Sequence, residues 1–260
     1  MQDIQAVFLD IDGTMVSFET HRMAESTVRA LDAARAKGVK LFVATGRPPK
    51  VINNLNNYPF DGLVSMNGSI CYNHNEEPLF KSPLPKNDVK LVTDYMKRGA
   101  GISAIVITES DVYITNRDEI MNRTLDLVEF PSLPDISIDD VVNHDVYQLT
   151  VCFDEQQESE VMPQIPGCHH TRWHPDFIDI NRKGNTKALG IDQIINHYNI
   201  PLEACMAIGD GGNDIEMLKH VGLGVAMGNA HDSVKLVADD VTRSVDDDGV
   251  WHAFMKHGLI

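Results

Sequence analysis

Asp10-Ile11-Asp12-Gly13-Thr14 places two carboxylates two residues apart, beside a glycine and a hydroxyl, directly after the apolar run at 5–10. At a strand end both carboxylates can turn toward a crevice, one to attack and one to move a proton. Taken alone, the run reads first as an acidic turn. Gly209-Asp210-Gly211-Gly212-Asn213-Asp214 adds two carboxylates among three glycines. Hard oxygen ligands at this density suit Mg²⁺, although the same residues also build plain turns. Thr45-Gly46-Arg47 offers a hydroxyl and backbone N–H groups at a helix start, which can hold phosphate oxygens or simply cap the helix. Lys187, in Lys183-Gly184-Asn185-Thr186-Lys187, can offset carboxylate charge and bind a phosphoryl group, or it can be a solvated surface lysine. Together the four runs hold a nucleophile, an acid/base carboxylate, a hydroxyl, a lysine and a metal-binding pair. That is the inventory of phosphoryl transfer.

The elements that must carry these groups follow from the apolar pattern. Runs at 5–10, 40–45 and 62–66 read as buried strands, with a helix over 23–37 that Gly38 stops. From 187 the alternation returns: helix 187–198, strand 204–208, helix 214–220, strand 222–226 and helix 231–236. Strands alternating with helices predict a Rossmann-like, doubly wound parallel sheet of α/β class. Between these halves lie strands at 102–108, 111–116 and 146–153 and helices at 88–98 and 155–162, with tight turns that suggest an antiparallel α+β sheet. The expected division is a core of 1–82 and 183–260, with an inserted cap domain at 83–182. Gly222 to Gly228 nearly spells a dinucleotide fingerprint, but the last glycine is one residue late, so the segment reads as a strand with flanking turns. His169, His170 and His174 fall in a stretch that reads as irregular and carry no metal prediction.

A chain of 260 residues with 43% apolar and 23% charged residues is ordinary for a soluble globular protein. A formal charge of −16 disfavours nucleic acid and anionic membranes as partners. An anionic substrate must then be drawn by a metal or a few placed cations. No apolar run approaches a membrane span, and the first residues lack a signal-peptide pattern, so a cytoplasmic location is expected. Four scattered cysteines, with no Cys-x-x-Cys pair, read as small buried hydrophobes rather than ligands.

The four runs, in this order, resemble the four motifs of the haloacid dehalogenase superfamily. Ala44-Thr45-Gly46-Arg47, Met66-Asn67-Gly68, Lys183 to Lys187 and Gly209 to Asp214 resemble its Cof-type phosphatases with a type IIB cap. The resemblance implies that Asp10 attacks phosphorus to form an aspartyl-phosphate. Asp12 would protonate the leaving group and then activate water. Thr45 would hold phosphoryl oxygens, with Gly46, Arg47, Asn67 and Gly68 beside the substrate, and Lys187 would offset charge. Mg²⁺ would be held by the Asp10 side chain, the Asp12 backbone carbonyl and Asp210, with Asn213 and Asp214 supporting. It also implies a small phosphorylated metabolite as substrate, sugar phosphates first, and a monomer or small homo-oligomer. Within the cap, Arg172, Trp173 and Asp179 are candidates for substrate contact. The family's ion-pumping ATPases carry Thr where Asp12 stands, so Asp12 favours a phosphatase. A phosphomutase of the same fold and a non-catalytic sugar-phosphate-binding protein are the alternatives.

Overall fold

The computed structural model describes residues 3–99, 101–127 and 133–260. In chain order the first elements are β1 (Ala6–Leu9), α1 (Glu25–Ala36), β2 (Lys40–Ala44), β3 (Gly62–Ser65), β4 (Ile70–Asn73) and β5 (Pro78–Lys81). There follow α2 (Lys86–Arg98), β6 (Ala104–Thr108), β7 (Val112–Ile114), α3 (Glu119–Leu127), β8 (Val146–Val151), α4 (Glu155–Val161), β9 (Cys168–His174) and β10 (Phe177–Arg182). The last are α5 (Lys187–Tyr198), β11 (Cys205–Gly209), α6 (Ile215–His220), β12 (Leu223–Ala226), α7 (Asp232–Lys235), β13 (Asp240–Val241) and α8 (Gly249–Lys256). The chain divides into two compact units, one of Met1–Arg47, Val51–Lys81 and Thr186–Ile260, the other of Pro48–Lys50 and Ser82–Asn185.

The first unit is built on a sheet of order β13-β12-β11-β1-β2-β3-β4-β5. It is parallel from β13 to β3, and the β4–β5 hairpin adds an antiparallel edge. The strand β1 lies at its centre, and all four of its residues are fully buried. Its side chains alternate between two apolar layers. Val7 and Leu9 join Leu31 of α1 and Phe254 of α8. Ala6 and Phe8 join Ile191 of α5 and Leu218 of α6. Burial on both faces is what turns these strands into continuous apolar runs. Phe8 stacks on Phe42 with ring centroids 4.8 Å apart, and burying such a side chain stabilises by about 1.5–3 kcal/mol.

The second unit holds an antiparallel sheet of order β7-β6-β8-β10-β9. Val89 and Val92 of α2 and Val161 of α4 pack with Ala104, Leu149 and Ile178 into its core. The stretch holding His169, His170 and His174, expected to be irregular, is the edge strand β9. Its polar composition hid it, because an edge strand has no need of an apolar run. The four cysteines are free and buried, and burial pushes the Cys71 thiol up to about 12. Among the described residues, no helix is long and apolar enough to cross a membrane.

Candidate active site

Parallel pairing brings the first residues after three strands to one edge. Leu9 lies opposite Val43 of β2 and Ile208 of β11. Asp10, Thr45 and Asp210 therefore emerge side by side at the carboxyl ends of β1, β2 and β11, where open α/β sheets bind ligands. Asp10, Asp12, Thr45, Gly46, Arg47 and Asp210 line one cavity of about 320 Å³, together with Gly211, Asn213 and the exposed ring of Phe18. Gly13 is required twice over. Its φ is +74°, and a Cβ there would overlap the Asp210 carboxylate.

Lys187 lies behind the cavity, fully buried. Its Nζ donates to Asp10 Oδ1 and to Asp214 Oδ1, each at 2.6 Å. As the first residue of α5 its charge opposes the helix dipole, so these two carboxylates are what hold it. Burial alone would lower its pKa, but Asp10 and Asp214 carry it above the ordinary lysine value. The other oxygen of Asp214 accepts the backbone N–H groups of Asp210 and Gly211 at 2.9 and 2.8 Å. Asp214 thus braces the loop rather than facing the cavity.

Arg47 grips Asp12 with two points of contact, Nε to Oδ2 and Nη2 to Oδ1, both 2.7 Å. Such a fork fixes the direction of the carboxylate, while each oxygen keeps a further lone-pair site. Thr45 Oγ1 accepts the Arg47 N–H at 3.0 Å, which leaves the hydroxyl proton as a donor. Asn213 Nδ2 donates to Asn67 Oδ1 at 2.9 Å beside Gly46. Gly68 does something else. At φ +85° it lets the Thr186 carbonyl, one residue ahead of α5, lie against its Cα. It positions the helix that carries Lys187.

Asp10, Asp210 and Asp214 each offer an oxygen, all within 4.8 Å of one another. Burial raises Asp10 to about 8, against the pull of Lys187, and Asp214 and Asp210 add to the rise. Burial and then Asp214 raise Asp210 to about 6. When all three are ionised, three crowded carboxylates against one ammonium leave two negative charges. A donor set of hard oxygens with that surplus fits a divalent cation such as Mg²⁺.

The same crowding gives the metal-free protein a pH dependence. Folded Asp10 and Asp210 keep protons that the unfolded chain releases near pH 4. Their contribution is therefore lost as pH rises from about 4 through about 6 and 8. The melting temperature with chelator should fall between pH 5 and pH 8, and added Mg²⁺ should reduce the fall. An unchanged or higher value at pH 8 would contradict this electrostatic picture.

The sequence model of the haloacid dehalogenase-like hydrolases matches residues 7–254. The chain belongs to this family. Its structure is similar to that of the HAD subclass IIB sugar phosphatase BT4131, with a TM-score of 0.86 and 43% identity over 98% of this chain and 100% of that one. It is 29% identical to YkrA of Bacillus subtilis, provisionally named a phosphatase, over 99% of each chain. The same identity links it to a Streptococcus pyogenes protein provisionally named a bifunctional phosphatase/peptidyl-prolyl cis-trans isomerase, of which the chain spans 54%. This haloacid dehalogenase-like hydrolase is a phosphatase of the Cof type.

The second unit of the phosphatase does not treat its three candidate residues alike. Arg172 is consumed internally: Nε donates to Glu158 Oε2 at 2.7 Å, Nη2 to the Phe153 carbonyl and Nη1 to the Pro175 carbonyl, both at 2.8 Å. Its guanidinium braces β9 and α4 rather than presenting itself to a substrate. Asp179 accepts the Thr150 hydroxyl at 2.6 Å across β10 and β8. The Trp173 side chain lies outside the described residues. Two groups at the phosphatase site, Phe18 and Asn229, were not read from the sequence, and Thr14 was read as part of the first run without a partner. The Thr14 hydroxyl donates to Asp210 Oδ1 at 3.1 Å, and Asn229 Nδ2 donates to Asp210 Oδ2 at 3.2 Å. The contact of Thr14 with Asp210 spans 196 residues and that of Asn229 spans 19, and neither spacing carries a local signal.

Proposed function

We propose that the phosphatase hydrolyses small phosphorylated metabolites, sugar phosphates first, through an aspartyl-phosphate on Asp10 and with Mg²⁺ as cofactor. The observation that carries this reading is Asp10 in the cavity, one oxygen tied to Lys187 and the other open, with Asp12 lining the same space. The open oxygen attacks phosphorus while Lys187 offsets the charge of the phosphoryl oxygens. Asp12, aimed by Arg47, gives a proton to the leaving alkoxide and then takes one from the hydrolytic water. Thr45 and the adjacent backbone hold phosphoryl oxygens. The Asp10 side chain, the Asp12 carbonyl and Asp210 would hold Mg²⁺, with Asn213 and Asp214 supporting. When bound, the cation neutralises the site and lets an acidic protein accept an anion.

The sugar-phosphate preference draws on BT4131, which is named a sugar phosphatase, and on Phe18. An exposed aromatic ring at a polar cavity suits the apolar face of a sugar. Residues 83–182 are proposed as the cap that selects the leaving group. The test is phosphate release from a panel of phosphorylated sugars, polyols and nucleotides, with Mg²⁺ and with chelator. Release confined to sugar phosphates and to Mg²⁺ is expected. Equal turnover in chelator would remove the metal, and isomerised ester without free phosphate would make the protein a mutase.

A further inference from the structure

Asn229 follows β12, outside the four runs that carry the chemistry. Its amide has only one consistent orientation. The Val245 N–H can only donate, and it reaches Asn229 Oδ1 at 2.9 Å. The amide nitrogen must then face the other way. There it donates to the Gly13 carbonyl at 2.8 Å and to Asp210 Oδ2 at 3.2 Å. Two N–H groups meet two acceptors. The opposite oxygen of Asp210, Oδ1, is held by the fully buried Thr14 hydroxyl at 3.1 Å. Asp210 is therefore clamped on both oxygens by neutral donors from different parts of the chain.

We propose that Asn229, with Thr14, is a positioning residue that fixes the Asp210 carboxylate for a divalent cation and so sets the cation affinity of the site. The proposal rests on the reading that Asp210 is a cation ligand. A neutral clamp orients a ligand without cancelling the charge the cation needs. An ammonium in the same place would orient Asp210 and compete with the metal. Asn229 also ties the Gly13 turn to Asp210, so one side chain sets the spacing between the loops after β1 and β11. Outer partners of this kind typically change metal affinity by roughly 10–100-fold when removed.

The experiment is calorimetric titration of the metal-free 260-residue chain with Mg²⁺ alone, for wild type, Asn229→Ala, Thr14→Val and the double variant. Each single variant should weaken Mg²⁺ binding about 10-fold, and the double variant should weaken it more than either single variant, without strict additivity because both side chains act on Asp210. The melting temperature of the metal-free proteins separates orientation of a ligand from simple scaffolding. A role confined to tying down the Val245 turn would lower that temperature and leave the Mg²⁺ affinity unchanged. Wild-type affinity in both single variants would overturn the clamp while leaving the cation site standing. No Mg²⁺ binding by wild type would overturn both. Thr14→Val is nearly isosteric, so it reports on the clamp even if Asn229→Ala does not fold.

Discussion

Asp10→Asn should abolish turnover, with a loss of roughly 10⁴-fold or more in kcat, as expected when a covalent nucleophile is removed. The substitution keeps the shape of the side chain and takes away the anionic oxygen that attacks phosphorus. It also withdraws one of the two partners of Lys187 Nζ as a charge, so substrate binding and stability must be measured beside rate. The loss should fall on kcat rather than on KM, because Thr45, Lys187 and the backbone around Gly46 still hold the phosphate. Stability need not fall. Asp10 is raised to about 8 by burial in the metal-free protein, so a neutral group at this position relieves crowding with Asp210 and Asp214. Activity within tenfold of wild type would exclude covalent catalysis by Asp10.

The second large effect is expected at Lys187. Replacing it with Met keeps most of the buried volume and leaves Asp10 and Asp214 facing each other without a cation. Breaking a buried pair from one side typically costs about 3–5 kcal/mol. Here two fully or nearly buried carboxylates lose the same partner, each from 2.6 Å. Proton uptake by Asp10 softens the penalty, so the destabilisation should be larger at pH 8 than at pH 5. The sign follows from linkage, since a protonated Asp10 no longer needs the ammonium. Denaturant unfolding of Lys187→Met at the two pH values reads this directly. Activity should be lost together with stability, and saturating Mg²⁺ should restore part of the stability only. A variant as stable as wild type at pH 8 would mean that Lys187 is not the charge that holds the site.

Much of the core sheet, and the gathering of polar residues at one edge of it, was legible because local signals coincided there. Asp10, Thr45 and Asp210 each follow a short apolar run, and burial on both faces makes such runs visible without an alignment. Where local composition and tertiary role diverge, the reading runs out. The β4–β5 hairpin, α8 and β9 have mixed composition, and their assignment depends on what they pair with. Arg172 shows the same limit in a single side chain. Its type suits a phosphorylated ligand, yet Glu158 and three carbonyls spend it inside its own unit. Gly68 belongs to a motif, but its contact is with the Thr186 carbonyl more than a hundred residues away. Asn229 carries no catalytic signature at all, and only its three partners disclose a role.

The proposed hydrolysis proceeds by two displacements at phosphorus with an Asp10 ester between them. The stereochemical course tests it most directly. A phosphorothioate monoester made chiral with oxygen isotopes is hydrolysed by the wild-type protein in isotopically distinct water, and the configuration of the released thiophosphate is determined. Two in-line displacements give overall retention, which is the result predicted here. Inversion would mean a single direct attack by water and would contradict the account.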